Sequence, residues 1–226
     1  MANKVIIIAG NIGAGKSTLI KYIKEKSSHE CIHEFIDSSW RDLFYSNRKR
    51  YTGPFEMSCL MGRKARYVTS KKGDKIVFFD RGLIEGREIF VQNSFDEGYL
   101  SFEELENYDK GLKQTLDELG RNKEDAKHWV ESLIVYLKTT PDVCFERQSQ
   151  RNSKEDITGG ELIPLEYFQR IHEYYEYFIK NIDKVYKKWG LPLKPKVLVI
   201  DASQNMVTDN TYLDKIYQKI LGEINN

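Results

Sequence analysis

Three observations predict an α/β fold built on a central five-stranded, mainly parallel sheet flanked by helices. Short β-branched runs alternate with helical segments along the 226 residues. The first run enters a glycine-rich turn that leads straight into a helix. Strands spaced by helices imply right-handed crossovers, and so parallel pairing.

The stretch KVIIIA at residues 4–9 is continuously apolar, as in a strand buried on both faces. A helix follows over 15–26, and a short second strand over 30–35. Residues 40–50 and 55–72 read as helices. Gly73-Asp74 breaks the chain before a third strand, KIVFFD, at 75–80. Helices are expected at about 82–94 and 101–121, a fourth strand (LIVYL) at 133–137, and helices near 141–152 and 164–189. The fifth strand, VLVID, spans 197–201, and a helix near 209–222 follows it. No repeat, low-complexity stretch or linker divides the chain, so residues 1–226 form a single domain large enough for a sizeable core.

Composition narrows the classes of function. Hydrophobic content is 40% and charged content 31%, ordinary for a soluble globular protein. A formal net charge of +1 gives no global field to recruit nucleic acid or an anionic membrane surface. No apolar run approaches the ~20 residues of a membrane span. The first apolar run meets a glycine turn, so no signal peptide is expected. Cys31, Cys59 and Cys144 lie far apart without a CxxC pair, which argues against a zinc site or a disulfide framework. They read as small apolar side chains in a cytoplasmic or other reducing intracellular compartment.

Ligands in such sheets sit at the carboxyl ends of the strands. Gly10, Glu34, Asp80 and Asp201 fall there. The segment Gly10-Asn11-Ile12-Gly13-Ala14-Gly15-Lys16-Ser17-Thr18 satisfies GxxxxGK[ST] between a strand and a helix. Its glycines let backbone N–H groups turn inward onto phosphate oxygens, at the positive end of a helix dipole. Lys16 can reach the β- and γ-phosphates of ATP, and the Ser17 hydroxyl can ligate Mg²⁺. Asp80 can hold Mg²⁺ directly or through water, with Arg81 aimed at the transferring phosphate or the acceptor oxygen. Taken alone, the pair would also read as a helix N-cap. Glu34 can accept the proton of an attacking hydroxyl.

These residues resemble the deoxyribonucleoside kinase family. GNIGAGKST is that family's form of the phosphate loop. TPDVCFERQSQR followed by IPLEYFQRIHEYYE resembles its arginine-bearing lid and the helix after it, with the lid at about 147–162. The resemblance implies a P-loop kinase fold, ATP as phosphate donor with Mg²⁺, a nucleoside acceptor and a homodimer. It also implies residue roles. Glu34 corresponds to the catalytic base, and Asp80-Arg81 to the acidic-Arg-Ser motif. Arg147 and Arg151, four apart on one helix, correspond to lid arginines on the phosphates. Phe55-Glu56 corresponds to a Phe-Gln pair on the base-binding helix, and Phe90 to a second aromatic against the base. Arg63 corresponds to a base-reading arginine, Tyr45 to the tyrosine on the sugar 3′-hydroxyl and Trp40 to a pocket tryptophan, though one residue out of the expected spacing. Glu161 is the nearest match to an acidic residue on the 3′-hydroxyl, with Glu155 the other candidate. The loop 201–208 would cover the adenine of ATP.

Three positions depart from the pattern: Gly82 replaces the motif serine, Gly86 replaces an aspartate that pairs with the base-reading arginine, and Glu56 replaces glutamine. An ionised Glu56 only accepts hydrogen bonds, which suits the adjacent N1–H and 2-amino donors of guanine. Arg63 could then donate to O6 or N7, and the missing side chain at Gly86 should leave room for a purine. These features favour deoxyguanosine or a related 2-aminopurine nucleoside. Two rivals are a structural Glu56–Arg63 ion pair and a protonated Glu56 that imitates glutamine. Two other functions compete. A nucleoside monophosphate kinase would use Arg41, Arg48, Lys49 and Arg50 for the acceptor's phosphate. A non-catalytic nucleotide-binding assembly subunit would not need Lys16, Glu34, Asp80 and Arg81 together.

Overall fold

The computed structural model describes residues 4–34, 36–70, 75–120, 131–154, 163–191, 194–207 and 209–225. Five strands form one sheet: β1 (Lys4–Ala9), β2 (Glu30–Ile32), β3 (Ile76–Asp80), β4 (Glu131–Lys138) and β5 (Lys196–Asp201). Their order is β2-β3-β1-β4-β5, every neighbouring pair parallel. The predicted architecture is therefore the one found.

The alternation of side chains along β1 divides the interior into two layers. Val5, Ile7 and Ala9 pack with Phe79, Leu60 and Tyr175 on one face. Ile6 and Ile8 pack with Phe78, Leu19 and Ile216 on the other. Both faces are covered, which is why the strand reads as an unbroken apolar run rather than an alternating one. The first layer is roofed by α3 (Arg48–Thr69), α6 (Phe102–Gly120) and α8 (Leu165–Lys180), the second by α1 (Lys16–Lys26) and α10 (Asn210–Asn225).

The helices differ from expectation at three points. The break predicted over 51–54 falls instead at Asn47, between α2 (Ser38–Ser46) and α3. The Asn47 side chain accepts from Arg50 N at 3.1 Å and so caps α3, whereas Pro54 lies inside that helix. The segment after β3 begins as α4 (Leu83–Glu85), widens into a π-helical stretch at Gly86–Val91 and ends as α5 (Gln92–Asp96). The long helix near 164–189 divides at Asn181 into α8 and α9 (Ile182–Lys188). α7 (Pro141–Lys154) carries the start of the predicted lid. Among the described residues no helix is long and apolar enough to cross a membrane.

Candidate active site

The turn from β1 into α1 runs through positive φ at Gly10, Gly13 and Gly15, a path that L side chains resist. Lys16 folds back over this loop and donates from Nζ to the Gly10 and Asn11 carbonyls, each at 2.9 Å. Burial, and then the charge of Arg81, push its ammonium down to about 8. Asn11 ties the loop to α8 by donating to the Phe168 carbonyl at 2.9 Å.

Ser17 Oγ donates to Asp80 Oδ2 at 3.5 Å, across the gap between α1 and the end of β3. The other oxygen, Asp80 Oδ1, is buried without a hydrogen-bond partner among the described residues. An orphaned carboxylate oxygen beside a hydroxyl fits a hard cation. Among the described residues no group of three or more Asp, Glu, His or Cys side chains is placed to hold a metal ion by itself. The donor set therefore suits Mg²⁺, which keeps water and phosphate in most of its positions.

Glu34 stands just past β2, which ends at Ile32, earlier than expected. Its Oε1 accepts from Arg63 Nε at 3.0 Å and Nη2 at 2.7 Å, and its Oε2 lies 3.1 Å from Arg81 Nε. Burial alone would raise this carboxyl, but Arg63 and then Arg81 outweigh it and hold it down to about 2. Arg81 has φ 66, the only left-handed non-glycine backbone among the described residues. Such a residue costs of order 1–3 kcal/mol and persists only where its surroundings over-determine it. Those surroundings are Glu34, the Tyr175 hydroxyl 2.8 Å from Nη1, and the Phe90 ring 4.2 Å from the guanidinium carbon.

One cavity of about 1100 Å³ joins the two halves. Lys16, Ser17 and Asp80 line it at the phosphate loop, and Glu34, Arg81, Glu56, Phe55 and Phe90 line it on the other side. Tyr45 and Arg63 line it as well. Glu56 is buried on α3, and burial pushes its carboxyl up to about 7 against the pull of Arg63.

Several expectations are corrected. Arg63 does not pair with Glu56, because both of its carboxylate bonds go to Glu34. The space freed by the missing side chain at Gly86 goes to the Arg63 guanidinium rather than to a base. A Cβ there would meet Arg63 Nη1 at 2.1 Å. Trp40 does not line the cavity and is 36% exposed. The stripe facing inward is Arg41, Phe44, Tyr45 and Arg48, and Trp40 stands one position off it. Phe55 stacks on Phe44, with centroids 4.5 Å apart. Arg147 spends its donors on backbone: Ala202 O at 3.0 Å, Ser203 O at 3.0 Å and Gln204 O at 2.9 Å. It thus pins the loop after β5 onto the glycine loop, and Ser203, Asn205 and Met206 of that loop do line the cavity. Asp201 is a turn former that accepts from Ser203 N at 3.0 Å. The Arg151 side chain, and Glu155 and Glu161 in the lid, lie outside the described residues.

Two neighbours of Arg81 carried no signal in the sequence. Glu85 and Tyr175 both contact Arg81, and Tyr175 belongs to a tyrosine-rich stretch, Tyr167–Tyr177, that reads as core or dimer contact. Gly82 also finds its reason here. A Cβ at that position would meet Glu131 Oε1 at 2.6 Å, so Glu131 occupies the space a serine would need.

Known proteins share both fold and sequence with this one. Human mitochondrial thymidine kinase 2 is 27% identical over 210 residues, covering 89% of this chain and 72% of that protein. Deoxyadenosine kinase of Lactobacillus acidophilus is 25% identical over 228 residues, covering 99% of each. The structure of Mycoplasma mycoides deoxyadenosine kinase with its products superposes with a TM-score of 0.68 at 21% identity, covering 96% of this chain and 98% of that one. The deoxynucleoside kinase family model matches residues 6–225. With the phosphate loop and the arginine-flanked Glu34 built on that same span, the chain belongs to the deoxynucleoside kinase family.

Proposed function

We propose that this kinase transfers the γ-phosphoryl group of ATP to the 5′-hydroxyl of a deoxyribonucleoside, and that Glu56 reads the base. The observation that carries this reading is the single cavity with Lys16 and Ser17 on one wall and Glu34 and Glu56 on another. The 5′-oxygen attacks the γ-phosphorus, the bond to the bridging oxygen breaks, ADP leaves, and the hydroxyl proton passes to Glu34. With its carboxyl held near 2, Glu34 is a weak base before reaction. It orients the hydroxyl by accepting its hydrogen bond, and takes the proton late, when the attacking oxygen has become acidic. Lys16 and Arg81 offset charge on the phosphates, and Arg147 holds the loop that flanks ATP. Ser17 and Asp80 would hold Mg²⁺, which would supply positive charge to offset the charge of the phosphates. Replacing Glu34 by alanine lowers kcat far more than it weakens ATP binding; an unchanged kcat removes Glu34 from this role.

Base choice rests on Glu56 in this reading, since Arg63 is engaged by Glu34. Ionised, Glu56 accepts from the two adjacent donors of guanine; protonated, it offers the donor and acceptor of an amide. Deoxyguanosine is thus the preferred acceptor on the alkaline side of neutrality. Steady-state kinetics with the four natural deoxynucleosides at pH 8 tests this, and a best kcat/KM for a pyrimidine there overturns it. A nucleotide acceptor is disfavoured because Arg48, half-buried at the start of α3, pairs with Glu97 at 3.0 Å and stacks 3.9 Å over Tyr99. A homodimer belongs to the same reading. Met61 and Val68, seven apart on α3, are 50% and 62% exposed and give that helix an apolar outer face. Sedimentation as a monomer at micromolar concentration would remove it.

A further inference from the structure

Arg81 presents its charge from a strained backbone, and a second set of residues, one of them 94 positions away in sequence, decides where that charge points. Its Nη1 donates to the Tyr175 hydroxyl at 2.8 Å and lies 3.5 Å from Glu85 Oε1 and 3.3 Å from the Gly10 carbonyl. Tyr175 comes from α8, on the far side of the lid segment. Its hydroxyl also meets Gly10 O at 2.8 Å and pairs closely with Glu85 Oε1. Glu85 Oε2 accepts from Gly82 N at 2.9 Å and so fixes the turn that carries Arg81. The Gly10 carbonyl is shared, because Lys16 Nζ donates to it too. Tyr175 is fully buried and stacked on Tyr136 at 5.4 Å and 15°, so its ring cannot swing away. Arg81 Nη2 makes no hydrogen bond among the described residues, and the side chain lines the cavity.

We infer that Tyr175 and Glu85 are positioning residues that lock Arg81 Nη1, leaving Nη2 aimed at the reacting groups, and that the shared Gly10 carbonyl ties this setting to Lys16. A buried ion pair of Arg81 with Glu34 alone would leave the guanidinium free to rotate about its Nε contact. The Tyr175 hydroxyl removes that freedom at the opposite corner of the plane. One consequence is that the helix after the lid and the acceptor-side arginine move together. The inference rests on Arg81 acting on the phosphoryl group or the hydroxyl, as proposed above.

The test is a kinetic double-mutant cycle. Tyr175→Phe keeps the ring and its stacking and removes only the hydroxyl. It should lower kcat roughly tenfold to a hundredfold with little change in nucleoside KM, because a small misplacement of a catalytic charge acts on the transition state. In an Arg81→Lys background, where the planar fork is gone, the same change should cost less than about threefold. Glu85→Gln, which keeps an acceptor for Gly82 N, serves as a second probe if Tyr175→Phe does not fold, and should show the same loss of additivity. Equal fold losses in both backgrounds, or unchanged kcat in either single variant, overturn the positioning role. An unchanged kcat in Arg81→Lys itself instead overturns the role of Arg81 in the proposed function, so the two failures are distinguishable.

Discussion

Glu34 and Arg63 form a two-pronged ion pair: Nε and Nη2 both reach Oε1, at 3.0 and 2.7 Å. The residue expected to read the base therefore supports the residue expected to take the proton. Packing against Gly86 fixes this pairing, since any side chain there would displace the guanidinium.

Replacing Arg63 by methionine leaves burial, which raises the Glu34 carboxyl, opposed by Arg81 with little help. The acid limb of kcat/KM against pH should move upward by about one unit or more. Stability should respond with the matching sign. The Glu34 carboxyl is lowered from 4.5 to about 2, so its contribution is present above 4.5 and lost as pH falls toward 2. Urea unfolding should show the gap between the parent and Arg63→Met widest above pH 4.5 and narrowing below it.

Glu56 titrates in the opposite direction. Burial raises it from 4.5 to about 7, so its burial is harmless below 4.5 and increasingly destabilising as pH rises toward and through 7. Glu56→Gln should therefore raise the melting temperature at pH 8 more than at pH 5. It should also flatten the pH dependence of the ratio of kcat/KM values for deoxyguanosine and deoxycytidine. A ratio in the parent enzyme that ignores pH between 6 and 8 would show that Glu56 does not read the base.

Gly82→Ser restores a common residue at the wrong place. Its Cβ would lie 2.6 Å from Glu131 Oε1, and Glu131 is held by Tyr67 at 2.9 Å and by Tyr186. Overpacking of this kind costs about 1–3 kcal/mol, readable as a shifted urea midpoint at constant slope. An unshifted midpoint would mean that Glu131 has room to move.

Asp80→Asn keeps the shape of the side chain but weakens its hold on a cation. Half-maximal activity should require about tenfold more Mg²⁺, with the ATP concentration held fixed. Ser17→Ala should act in the same direction, since Ser17 Oγ and Asp80 Oδ2 are 3.5 Å apart. A Mg²⁺ curve unmoved in both variants would place the ion elsewhere.

Sheet and phosphate loop were legible because they depend on local order. A strand buried on both faces must be apolar at every position, as residues 5–9 are. A loop that wraps phosphate needs glycines, a lysine and a helix N-terminus in strict succession. The helix break was placed too late because α3 starts where the Asn47 side chain caps Arg50 N, while Pro54, in the second turn, does not end the helix. Trp40 was placed in the pocket by resemblance, one residue out of the expected spacing from Glu34, but the face a helix presents depends on where its cap sets the first turn. Here Asp37 sets it, accepting from Ser39 N at 2.8 Å.

The sequence by itself determined the order of strands and helices, the phosphate loop, and the carboxyl-edge positions of Glu34, Asp80 and Arg81, because each follows from short-range patterns of polarity and backbone freedom. Only the tertiary structure decided the partners: that Arg63 serves Glu34, that Arg147 binds a loop, and that Tyr175, a long way along the chain, holds Arg81. A charged side chain in a dry site goes to whichever opposite charge or acceptor the packed elements bring within about 3 Å. That choice is made by distances across the fold, to which neighbours in the chain give no clue.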